Sequence, residues 1–101
     1  MRVSRIYIPR NVTTFTQLVV AGTTILGVGP GPGINVLAGP ADSYLEDEIH
    51  FQTTLEGDDA PSGMGYVGCY ESQSSGFQYL WVSAPHRWLR GDFISIPEDG
   101  G

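Results

Sequence analysis

The chain contains no lysine. Its five basic residues are all arginines near the two ends: Arg2, Arg5 and Arg10, then Arg87 and Arg90. A duplex-binding protein neutralises several phosphates at once, so a small, divided arginine set in a chain of net charge −6 argues against nucleic acid as a partner. Cysteine is nearly absent too. Cys69 alone cannot form an internal disulfide, and its setting in YVGCY reads as that of a small buried hydrophobe. Long apolar runs are missing: LVVAGTTILGV is too short to span a bilayer, so no membrane partner is expected. The first residues do not form a secretion signal, because Arg2 and Arg5 are followed by only three residues before Pro9. The expectation is cytoplasmic synthesis of a soluble protein.

What is present suits one compact domain. With 101 residues, 41% of them hydrophobic, the chain has room for a single core. It divides into a globular domain over 1–96 and a solvated tail over 97–101. The 14 glycines, about double ordinary usage, point to short elements and many tight turns.

RVSRIYIPR alternates as a strand, with Ile6 and Ile8 on one face and Val3, Arg5 and Tyr7 on the other. Pro9 ends it or places it at a sheet edge. The next segment is ambiguous. Its Thr, Val and Ile content favours a strand, but Phe15, Leu18, Val19, Gly22, Ile25 and Leu26 recur at helical spacing. Thr14 with Gln17 resembles a capping box and Gly27 a helix-ending cap, so the pattern predicts a short helix over 15–26.

GVGPGPG, residues 27–33, invites a phosphate-loop reading, and its chemistry refuses it. Pro30 and Pro32 lack the N–H groups such a loop needs, the glycines miss the dinucleotide spacing, and no lysine follows. It reads as a turn after the helix. Beyond it, INVLAG, EIHFQTTLEG, MGYVGCYES, FQYLWVSA and DFISIPE read as strands, with the third and fourth of these forming a hairpin around QSSG. The predicted fold is mainly β: an antiparallel sheet curled into a small sandwich or barrel, with one short N-terminal helix, or α+β if that helix is counted.

Candidate chemistry is sparse. Glu48, His50 and His86 are the only combination of metal-ligand types worth testing, and their number is what chance provides in an acidic chain. No metal and no cofactor is expected. Cys69 lacks a neighbouring base, and the clusters LEDE and EGDD read as solvated faces. RGD at 90–92 reads as a turn, and NVT at 11–13 would matter only in a secreted chain.

One cluster stands above this background. YLWVSAPHRWLR gathers the residue types enriched at interface centres, and Trp88 lies between Arg87 and Arg90 in a segment bounded by Pro85 and Gly91. Trp88 reads either as a rim contact or as core. Together with Arg2, Arg5 and Arg10 on the terminal strand, Arg87, Trp88 and Arg90 form the expected interface set. The leading expectation is a non-enzymatic structural module that docks on a larger protein assembly or on its own copies, of the kind that decorates, cements or joins the subunits of a virus shell. The alternative is a carbohydrate- or small-molecule-binding β domain using exposed Tyr79, Trp81 or Trp88. A small enzyme built on His50, His86 and the acids comes third.

Overall fold

A computed structural model describes residues 2–40, 44–72 and 76–98. The chain runs through β1 (Val3–Tyr7), β2 (Thr14–Val20), β3 (Thr24–Gly29), β4 (Gly33–Leu37), β5 (Glu46–Leu55), β6 (Met64–Ser72), β7 (Gly76–Ser83) and α1 (Pro85–Trp88). It is mainly β. One sheet has the order β1-β4-β3 and the other β2-β5-β7-β6, and every pairing is antiparallel.

Alternation builds the core between these sheets. Ile6, Ile25, Ile34 and Val36 from the first sheet meet Ile49, Phe51, Tyr70, Leu80 and Val82 from the second. Phe15 stacks on Phe51 across the β2–β5 pair, with ring centroids 5.0 Å apart. Burying each large apolar side chain contributes roughly 1.5–3 kcal/mol, so the inner rows of β4, β5 and β7 carry much of the stability.

No helix forms over 15–26. The segment is β2 and β3, joined by a turn at Ala21–Thr23 that carries the chain from one sheet to the other. Two residues that fitted the helical stripe, Leu18 and Leu26, are 58% and 55% exposed. The side chains facing the core are Phe15, Val19 and Ile25. Here β-branched propensity and long-range pairing prevail over a coincidental spacing. Gln17 makes no capping box and instead donates to the Leu18 carbonyl. The turn is fixed by Thr23, whose Oγ1 donates to the Val20 carbonyl at 2.6 Å and accepts from the Gly39 N–H at 3.2 Å. Gly27 lies at a bulge in β3, and GVGPGPG supplies the end of that strand and the turn into β4.

The sandwich is closed along one side and open along the other. On the closed side β3 packs against β6, and Gly68 permits the approach: a Cβ there would stand 2.9 Å from Val28 Cγ2. β6 is further covered by residues 93–96. These make a single bridge, Gly65 to Ser95, and N–H···O bonds from Tyr66 to Ile94 and from Ile96 to Met64, rather than the full strand expected from DFISIPE. On the open side β1 and β2 are the terminal strands of their sheets. Of the turn expected at QSSG, 73–75 lie outside the described residues, as do 99–101 of the expected tail.

Candidate interaction surface

The free edges follow from the ladder pattern. In an antiparallel pair, alternate residues direct both backbone groups to the partner strand and the others direct both away. The Ala38 N–H donates to the Arg2 carbonyl, so Arg2, Ser4 and Ile6 face β4, and Val3, Arg5 and Tyr7 present their N–H and C=O groups outward. In β2, the Thr53 N–H donates to Thr13 and the Ala21 N–H donates to Leu45. The odd-numbered residues therefore face β5, and Thr14, Thr16, Leu18 and Val20 direct theirs outward, where Thr23 already donates to the Val20 carbonyl and the Gln17 side chain to the Leu18 carbonyl.

The same residues point their side chains to the outer faces. Val3 is 64% and Tyr7 74% exposed, large values for strand residues of this size. Arg5 lies between them, its guanidinium 5.7 Å from the Tyr7 ring and folded over Gly33, where any Cβ would collide with it. Arg2 and Arg10 flank the strand and are exposed. Behind β2, Glu46 and Glu48 of β5 pair in register with Val20 and Leu18. The expected basic terminal strand thus does sit at a sheet edge, and the acids sit behind the other free edge. Reading 15–26 as a helix hid that second edge, although the uncharged Thr- and Val-rich run TFTQLVV was the available signal.

The second half of the expected interface set is built differently. Trp88 is not a rim residue: it is 3% exposed and belongs to the core cluster. Ala84, in the left-handed region at φ 49, turns the chain into α1, and Pro85 opens that helix. Pro85 packs so closely on β6 that Gly65 has no room for a Cβ. The short helix thereby folds Trp88 inward. Arg87 stays outside, ion-paired with Asp47 and with its guanidinium 5.1 Å from the Trp88 ring. Arg90 reaches back to the carbonyls of Arg87 and Leu89. These arginines are engaged within the chain.

The aromatic outer face of the second sheet is also largely spent internally. Trp81 is 9% exposed, with its indole N–H donating to Thr54 Oγ1 at 2.9 Å and Tyr66 edge-on at 5.3 Å. Neither tryptophan is exposed as the ligand-stacking alternative requires, and Tyr79 is half-buried, 6.5 Å from Tyr66. Burial, then hydrogen bonding and charge repulsion from Cys69, push the Tyr66 hydroxyl up to about 12; burial also raises Tyr70. Cys69 itself is exposed, contrary to its apolar setting, because it falls on the outer face just past the β6 bulge.

His50 and His86 do not converge. His50 pairs with Glu48 at 3.1 Å, while His86 packs edge-on against Phe93 at 5.1 Å. Among the described residues no three His, Cys, Asp or Glu side chains group to hold a metal. Nor, among them, is any helix long and apolar enough to cross a membrane. A shallow depression of about 480 Å³ adjoins the start of β2, lined by Thr14, Phe15, Thr16 and His50 among others. Comparison with family models, curated proteins and solved structures yields no match to this chain.

Proposed function

We propose that the chain is a non-enzymatic interaction module that joins a larger protein assembly through the free edge of β1, in the manner of a small cement, decoration or connector subunit. The observation that carries this reading is the exposure of Val3 and Tyr7 beside a row of backbone groups that no described strand pairs. An edge of that kind adds a strand from a partner with little rearrangement, since main-chain hydrogen bonds supply affinity and alternate side chains supply selectivity. The flattened body, 42 × 37 × 22 Å, suits a subunit that lies against larger neighbours. The ligand-stacking alternative loses support with the burial of Trp81 and Trp88.

The test is capture from a lysate of the source cells on immobilised chain, comparing the natural sequence with Val3→Pro. Val3 directs its N–H away from β4, so proline there removes an edge donor and leaves the β1–β4 ladder intact. The expected result is near-stoichiometric retention of a protein by the natural chain and its loss with Val3→Pro. Equal retention by both would refute docking through this edge.

A further inference from the structure

We infer that the free edge of β1 pairs antiparallel with the free edge of β2 on a second copy of the same chain. This inference rests on the docking function above and names its partner. Three features lead to it, namely backbone register, side-chain match and charge.

The two edges are complementary in register. Val3, Arg5 and Tyr7 offer N–H and C=O groups on one. On the other, Thr16 offers both, and Leu18 offers both once the exposed Gln17 side chain leaves its carbonyl. Val20 offers its N–H, its carbonyl being held by Thr23. Set antiparallel, Val3 meets Val20, Arg5 meets Leu18 and Tyr7 meets Thr16. Directly opposed residues share a face, and in both strands these side chains lie on the outer face. The first sheet of one copy would thus run into the second sheet of the next without a step. Val3, Tyr7 and Leu18, each more than half exposed in the single chain, would then lie side by side at the junction.

Charge selects this pairing over the symmetric ones. Among the described residues the ion pairs are His50–Glu48 and Arg87–Asp47, and Arg2, Arg5 and Arg10 have no acidic partner among those residues. Two β1 edges centred on each other would set Arg5 against Arg5, an unfavourable contact. Two β2 edges would bring together the strips carrying Glu46 and Glu48. Only β1 against β2 sets basic against acidic: Arg5 lies in the row of Leu18 and Glu48, about 10 Å from Glu48 at two strand spacings. Arg5 remains over Gly33 in the single chain, so its share is an attractive field that speeds encounter.

The pairing is also self-completing. Because β1 and β2 lie on the same open side, the copy that brings its β2 to β1 turns its own β1 toward the first copy's β2, so two junctions close a dimer.

The experiment is light scattering across protein concentration and salt on the full chain, Val3→Pro, Leu18→Arg and Arg5→Thr, each first checked for folding by circular dichroism. The natural chain should exceed monomer mass as concentration rises, and high salt should reduce that mass. Val3→Pro and Leu18→Arg, each lacking one edge, should be monomeric alone. Mixed, they should form a one-to-one dimer and stop, because a single good edge of each kind remains. Arg5→Thr should weaken association by about 1.5- to 5-fold, the range of one exposed ion pair. Stronger association in Arg5→Thr would mean that Arg5 guards the edge against pairing, and would overturn the inference. So would a natural chain monomeric at every concentration. In that case, Val3-dependent capture of another protein leaves the docking function standing, while Val3-independent capture removes both.

Discussion

Trp88→Ala separates a structural tryptophan from a docking one. The side chain is 3% exposed, among core residues of both sheets, on a four-residue helix that rests against β3. A tryptophan buries about 150–250 Å², which at about 25 cal/mol per Å² corresponds to roughly 4–6 kcal/mol of transfer free energy. Partial collapse of the site recovers some of this, and measured truncations of buried Phe and Trp fall at about 3–5 kcal/mol. The Arg87 guanidinium, 5.1 Å from the ring, loses its aromatic partner as well. A domain of this size is held by about 5–15 kcal/mol, so the variant should be folded only marginally, with its melting temperature lowered by roughly 12–40 °C. Urea unfolding followed by far-UV circular dichroism reads the first quantity, and a thermal scan reads the second. Trp88→Phe, which keeps most of the packing, should lose less and remain fully folded at 25 °C. A loss below about 1 kcal/mol in Trp88→Ala would refute the packing argument. A folded Trp88→Phe that no longer associates would return Trp88 to the docking surface.

Gly68→Ala should destabilise by about 1–3 kcal/mol, because the new methyl would stand 2.9 Å from Val28 Cγ2. Adding Val28→Ala should recover part of the loss in the same urea titration, and no recovery would show that the contact does not set the β3–β6 spacing. At alkaline pH the sign follows from the tyrosines. Tyr66 is raised from 10.0 to about 12 in the folded chain and Tyr70 is raised too, so the folded state holds these protons more tightly than the unfolded one. Their contribution is complete below pH 10 and is lost as pH climbs through the folded values. Tyrosinate absorbance should show a late-titrating group that disappears in Tyr66→Phe, and a titration in which every tyrosine ionises near 10 would refute the assignment.

Much of this fold was legible because alternation is a local signal. Ile49, Phe51 and Thr53 on one face of β5, and Ile6 against Val3 and Tyr7 in β1, fall where the period-two pattern puts them. The β6–β7 hairpin was equally plain. What failed depended on distant partners. Residues 15–26 carry both a helical spacing and a strand composition, and only pairing with β5 and β4, which lie further along the chain, decides between them. Trp88 failed for the same reason. Proline, glycine and two arginines around it look like a surface loop, but its burial is set by Pro85 seating on Gly65 of β6, twenty residues earlier. Trp88 thereby leaves the expected interface set, while Arg87 and Arg90 stay exposed beside it.

The two free edges are treated differently by the sequence, and that difference bears on whether they are left open for use. Sheet proteins usually protect an edge with charge, proline, a bulge or a covering segment. β6 has its cover in residues 93–96. β1 has Arg5 within it and Pro9 just beyond. β2, seven residues long, has none of these: TFTQLVV contains no charge and no proline, and its register with β5 is unbroken. Within one chain β1 and β2 belong to different sheets, and the connection from Ile8 to Thr13 passes between them through Asn11 at φ 60. A smooth, uncharged edge of that length would invite indiscriminate pairing if it met every strand equally. The acids behind it, Glu46 and Glu48, narrow the choice to a strand that brings positive charge, and the strand that the chain itself supplies with that charge is β1.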